Sequence, residues 1–99
     1  MAIAVVQDWP EEETDRSTAN YDALHERIMQ VGPIDGFVMH SAGFTGHGFR
    51  IFEVWESRED FERFAEQTLM PLVSELAGDD ARPPEQTVYD LHTFVAAGQ

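Results

Sequence analysis

The 99-residue sequence contains no cysteine, so disulfides, iron–sulfur clusters, thiolate catalysis and cysteine-ligated zinc are all excluded. It is also short of positive charge. Six basic side chains face 19 acidic ones, for a formal net charge of -13. A surface so negative repels phosphate backbones and anionic headgroups, which argues against nucleic acid and membrane surfaces as partners. No run approaches the roughly 18 apolar residues of a membrane span. The opening MAIAVVQDWP has no basic segment and too short an apolar run for a secretory signal, so a cytoplasmic location is expected. Phosphate-loop and dinucleotide fingerprints are missing, as is a G-x-S-x-G setting for Ser41.

What is present suits one modest domain over residues 1–99, because a single core of this size rarely splits. The chain is 42% hydrophobic and 11% aromatic, enough for a core that oligomerisation would help to complete. Acidic residues gather at EEETD (11–15), ESREDFE (56–62) and GDD (78–80), where loops and solvated helix faces are expected.

Residues 2–9, AIAVVQDW, are β-branched and apolar and end at Pro10, which predicts a first strand. In DRSTANYDALHERIMQVG, Tyr21, Leu24, His25 and Ile28 fall on one helical face, and Gly32 with Pro33 ends that helix. IDGFVMHSA and FRIFEVW flank GFTGHG and predict a hairpin with glycine where positive φ is needed. Ser57 is placed to cap the next helix, with Asp60 reaching back. Phe61, Phe64, Ala65, Thr68, Leu69, Leu72 and Leu76 trace its apolar stripe, and Pro71 predicts a kink or a fresh start. DDARPPEQ reads as a loop and TVYDLHTFV as a last strand. The order β-α-β-β-α-β predicts a ferredoxin-like α+β fold, a four-stranded antiparallel sheet with two helices on one face.

The hairpin is apolar on both sides. By alternation Phe37, Met39, Phe49, Ile51 and Trp55 point one way, while Val38, Phe52 and Val54 point the other. Two helices cover one face, so a second copy of the sheet is the simplest cover for the other, giving a homodimer whose sheets close a barrel.

The run GFRIFEVWESREDFERFAEQTLMPLV and this element order resemble the dimeric α+β-barrel superfamily, closest to small antibiotic-biosynthesis-monooxygenase-like proteins. The motif is Glu53 and Trp55, two apart on the third strand, followed by Ser57, Glu59 and Phe61 at the helix start. The resemblance implies a cofactor-independent enzyme on an aromatic or polyketide-like small molecule. Monooxygenation leads, and cyclisation or isomerisation follows. The alternative is a non-catalytic dimeric module that binds a small ligand or serves structure. Haem-degrading members use a histidine of the second helix, and residues 57–77 contain none.

Five residues are candidate catalytic groups: His40, Arg50, Glu53, His25 and His92. With the turn centred near Thr45, His40 lies opposite Arg50. A neutral imidazole would then act as a base beside a guanidinium that holds an enolate oxygen. Either that pair works as a site, or Arg50 pairs with a nearby acid and His40 bonds a backbone carbonyl. Glu53, between Ile51 and Trp55, must find a donor or take up a proton, which suits either a general base or a structural lock. The resemblance implies that His92 on the last strand could approach His40 across the dimer, and that His25 could enter a pocket between helix and sheet. Tyr21, Phe37, Met39, Trp55 and Phe64 are candidate substrate-binding residues, with Phe49 and Phe61 also able to line an apolar cavity or simply fill a core. His47 falls in the turn. No H-x-H or H-x-x-x-H spacing supports a metal site, and no metal or cofactor is expected.

Overall fold

Strand and helix signals in the chain resolve into eight segments in a computed structural model that describes residues 1–10, 18–78 and 83–97. They are β1 (Ile3–Pro10), α1 (Ala19–Met29), β2 (Phe37–Thr45), β3 (Gly48–Trp55), α2 (Arg58–Phe64), a π-helical turn (Ala65–Leu69), α3 (Met70–Ala77) and β4 (Glu85–Asp90). The four strands form one antiparallel sheet in the order β2-β3-β1-β4. This is the ferredoxin-like α+β arrangement, with α1 and the α2–α3 helix on one face. The acidic run at 11–15 and residues 79–82 of the expected loop DDARPPEQ lie outside the described residues, while Glu85 and Gln86 of that loop already belong to β4, where they pair with Asp8 and Gln7. Among the described residues no helix is long and apolar enough to cross a membrane.

Ser57 caps α2 in extended conformation: its hydroxyl accepts from the Asp60 N–H at 3.1 Å and donates to the Asp60 carboxylate at 2.9 Å. Those bonds, with Arg63, hold the Asp60 carboxyl below its ordinary range. Gly36, at φ 79°, brings β2 against this cap; its carbonyl accepts from the Glu56 N–H at 2.7 Å. A β-carbon at Gly36 would collide with the Asp60 side chain, so glycine is required there for space as well as for conformation.

Pro71 marks a fresh start, as expected: the second helix divides into α2, the π turn and α3, and Pro71 falls in the first turn of α3. The π turn before it widens the ladder, with the Met70 N–H reaching Ala65 rather than the carbonyl one residue nearer, so the proline ring enters near the start of α3 where its missing donor costs little. The extra residue also turns the stripe. Phe61 and Phe64 are buried, and Ala65 and Leu69 pack beside them, but Leu76 is 40% exposed.

Three details of the sheet differ from the alternation read in the sequence. Gly46 and His47 form a two-residue turn between paired Thr45 and Gly48, so His40 lies opposite Glu53, and Arg50 lies opposite Gly43. The Thr45 hydroxyl closes the loop, accepting from the His47 N–H at 3.0 Å and donating to the Gly48 carbonyl at 3.2 Å. A slip by an odd number of residues moves every side chain of one strand to the opposite face relative to its partner. Second, a bulge between Phe37 and Met39 pairs Phe37 with Trp55 but Met39 with Val54, which turns Met39 away from the helices. Third, β4 stops at Asp90, because its partner strand begins at Ile3 and the Leu91 N–H already bonds the Ala2 carbonyl.

The core lies between sheet and helices. Ile3, Val5, Trp55, Phe61 and Phe64 are its buried members, with Ile28, Ile34, Leu69 and Val88 packed against them. The Trp55 ring meets Phe61 at 5.8 Å and Phe64 at 5.2 Å between centroids. Each such fully buried large side chain is worth about 1.5–3 kcal/mol of transfer free energy. Arg27 of α1 binds Glu75 of α3 through two bonds of 3.2 and 3.0 Å. On the other face the Ala4–Val54 pair is also buried, flanked by half-buried Val6, Met39 and Phe52.

Candidate functional site

Glu53 stands on the helix-covered face of β3, two residues from the core tryptophan. Its carboxylate would be an unpaired charge among apolar groups were it not held twice. Trp55 Nε1–H donates to Oε1 at 3.1 Å, and Oε2 meets His40 Nδ1 at 2.6 Å. Both side chains are mostly shielded, with 22% of His40 and 12% of Glu53 exposed. The other imidazole nitrogen, Nε2, lies 2.6 Å from the Tyr21 hydroxyl on α1. A carboxylate only accepts, so in the neutral imidazole Nδ1 carries the hydrogen and Nε2 is left to accept from the Tyr21 hydroxyl. The result is a continuous chain from the core outward: Trp55 to Glu53, Glu53 to His40, His40 to Tyr21.

Tyr21 ends the chain as a neutral phenol. Burial first, then the charges of Glu53 and Asp22, push its ionisation above the ordinary tyrosine range. Its ring stacks on His40 (6.0 Å, 11°) and on His25 (5.7 Å, 21°), and Phe49 meets it edge-on at 5.4 Å. Phe49 in turn contacts Phe44 at 5.0 Å and Trp9 at 6.3 Å. The hydroxyl chain therefore opens into an aromatic surface made by the strand ends near the hairpin turn.

Comparison with solved structures locates this arrangement among known folds. No protein-family model matches the chain, and no curated protein matches its sequence. Rv0793 from Mycobacterium tuberculosis superposes with a TM-score of 0.69 at 18% identity, over 97% of this chain and 100% of that one. SnoaB from Streptomyces nogalater, a cofactor-independent oxygenase, gives 0.65 at 15% identity, over 95% and 96%. A Nitrosomonas europaea protein provisionally assigned as an antibiotic biosynthesis monooxygenase gives 0.66 at 17%, over 92% and 89%. The chain shares the ferredoxin-like α+β fold of these structures. At these identities the likeness is one of fold.

Within this fold the structure brings together four of the residues singled out from sequence, Tyr21, His40, Glu53 and Trp55, with His25 stacked alongside. It does not bring Arg50 to His40. Arg50 lies on the opposite face, where its guanidinium grips Asp8 at 2.7 and 3.1 Å and is held all the more firmly protonated by that bond. The expected His40–Arg50 pairing is thus replaced by His40–Glu53, because the turn is centred between Gly46 and His47 rather than at Thr45, which shifts the pairing by three residues. Met39 shares the Arg50 face through the bulge. Phe37 packs edge-on against Trp55 at 5.6 Å, while Trp55 (0% exposed) and Phe64 (9%) are core members whose rings offer no surface to a ligand. His92 lies past the end of β4 and is exposed, and His47 is exposed in the turn. Among the described residues no cluster of three or more metal-ligating side chains occurs. Sequence reading missed Trp9 and Phe44 as part of the aromatic surface and Asp8 as the acid opposite Arg50. Phe44 opposite Phe49 follows once the register is counted from the Gly46–His47 turn, whereas Asp8 opposite Arg50 and Trp9 opposite Phe49 come from the pairing of β1 with β3.

Proposed function

We propose that the protein is a cofactor-independent oxygenase of a neutral aromatic or polyketide-like small molecule, working as a homodimer. The observation that carries this reading is the hydrogen-bonded chain from Trp55 through Glu53 and His40 to Tyr21, opening beside an aromatic surface. Likeness of fold to SnoaB, described as a cofactor-independent oxygenase, supports it. The strongly negative chain favours an uncharged substrate over an anionic one.

Direct reaction with oxygen needs an electron-rich carbanion, such as the anion of a phenolic ring bearing an activated C–H. In the proposed step the substrate proton passes to Tyr21 Oη as the Tyr21 proton passes to His40 Nε2. Glu53 stabilises the imidazolium formed, and Trp55 keeps Glu53 in place, the logic of a base oriented by a third group. The anion gives an electron to oxygen, and the radical pair closes a C–O bond to a peroxide. Loss of the second proton on that carbon with O–O cleavage then leaves a carbonyl. Overall a CH2 group and O2 become C=O and water, so electrons and atoms balance with no added reductant.

Oxygen uptake with a panel of uncharged polycyclic phenols tests this. Wild-type protein is expected to consume one of them, and His40→Ala and Glu53→Gln to lose at least about a hundredfold in rate, the usual worth of acid–base catalysis. Arg50→Ala should keep the activity. Tight binding without oxygen uptake would replace the oxygenase with a ligand-binding module. The homodimer is tested separately by native mass spectrometry, where a monomer would leave the Ala4–Val54 face without the second sheet.

A further inference from the structure

Removing an electron from a phenol turns its O–H into a strong acid, so the oxidation is easy only where a base already holds that proton. Tyr21 meets this condition. Its hydroxyl lies 2.6 Å from His40 Nε2, and the imidazolium that would form keeps a 2.6 Å bond from Nδ1 to Glu53. Such charge-assisted bonds are the strong ones, and the Trp55 bond to Glu53 prevents the carboxylate from turning away. The half-buried ring stacks on His25 and His40 and meets Phe49 edge-on, which fixes its position. The raised ionisation of Tyr21 means that the resting group is the phenol, so the proton acceptor matters.

We propose that Tyr21 is a redox-active tyrosine, oxidised by one electron to a neutral tyrosyl radical while its proton moves to His40. The balance is simple. Neutral Tyr21 and neutral His40 become the Tyr21 oxyl radical and the His40 imidazolium, and the electron goes to a one-electron oxidant, whether a peroxyl radical or a high-potential metal complex. Return of an electron and of the His40 proton restores the start. The step needs no organic substrate and stands apart from the oxygenation chemistry.

The chain provides its own control, since it holds two tyrosines. Tyr89 is 45% exposed on β4, and among the described residues no imidazole meets its hydroxyl. Photogenerated tris(bipyridine)ruthenium(III) serves as oxidant, with tyrosyl formation followed by transient absorption and electron paramagnetic resonance. Tyr89→Phe protein, which retains Tyr21, is expected to form tyrosyl about ten- to a hundredfold faster than Tyr21→Phe protein, the rate equivalent of one charge-assisted hydrogen bond. Tyr89 pairs with Ala4 on the face that the proposed second sheet would cover, so the His40 and Glu53 variants, and not access, decide the comparison. On the Tyr89→Phe background, His40→Gln should abolish the advantage and Glu53→Gln should reduce it. Circular dichroism checks folding, and if His40→Gln does not fold, the Glu53→Gln comparison decides. Equal or slower oxidation of Tyr21, an advantage that survives in folded His40→Gln protein, or one undiminished in Glu53→Gln protein, would overturn the proposal.

Discussion

Two residues of β3, three positions apart, make acid–base pairs on opposite faces of the same sheet. Glu53 faces the helices and holds His40 at 2.6 Å; Arg50 faces away and holds Asp8 at 2.7 Å. The bonds are nearly equal in length, yet their surroundings differ. The His40–Glu53 pair is 22% and 12% exposed and is tied to the core through Trp55, whereas Arg50 and Asp8 are 52% and 35% exposed. Water and salt screen the second pair, so its geometry adds little to stability. The first pair sits where losing one partner strands a shielded polar group. Distance alone does not distinguish a site from a surface ion pair. Burial and connection to further donors do.

Changes on the covered face should be costly, in an order set by depth. Phe61→Ala, which removes a ring packed on Trp55, is expected to cost about 3–5 kcal/mol in denaturant unfolding. A loss below about 1 kcal/mol would mean that this face is not the principal core. Glu53→Ala leaves the Trp55 indole and His40 without an acceptor, and should cost about 1–3 kcal/mol together with the oxygen uptake proposed above. Ser57→Ala, at the cap of the helix that covers this face, should cost about 1 kcal/mol and should raise the Asp60 carboxyl toward the ordinary range. Asp60 is held low in the folded state, so its contribution is present above the ordinary carboxylate range and fades as pH falls through its depressed value.

A smaller effect belongs to Tyr21. Its folded-state ionisation is raised, so the neutral phenol contributes stability below the unfolded tyrosine value, about 10. That contribution is lost as pH rises through the higher folded value. Tyr21→Phe should therefore flatten the alkaline limb of stability against pH, measured by urea unfolding at several pH values. On the other face, Arg50→Ala should leave the unfolding midpoint unchanged at physiological salt. A clear loss there would show that the exposed pair is worth more than its surroundings allow.

Much of this contrast was legible in the sequence, and the remainder was hidden for a physical reason. Element order followed from local signals: the Ser57 cap, the Pro10 stop, the stripe from Phe61 to Leu69. Glu53 stood out because a carboxylate between Ile51 and Trp55 needs a donor, and the structure supplies two. His40 stood out as well, but with the wrong partner. Strand alternation has a period of two, so placing the turn at Thr45 instead of at Gly46–His47 exchanged the faces of β2 and set His40 beside Arg50. The bulge at Phe37–Met39 then misdirected Met39 independently. Neither the register nor the bulge leaves a mark in composition. Likewise the end of β4 depends on where β1 begins, a relation between distant segments that no reading of TVYDLHTFV alone contains.

Nitrogen-15 NMR of the histidine side chains tests the central claim most directly, with His40 assigned by its disappearance in His40→Gln. A continuous chain from Trp55 to Tyr21 requires His40 in the Nδ1–H tautomer, with Nε2 accepting from Tyr21 and both resonances moving in Glu53→Gln and Tyr21→Phe. An Nε2–H tautomer, or a spectrum indifferent to those two substitutions, would contradict the account, because the imidazole would then be neither held by Glu53 nor poised to take a proton from Tyr21.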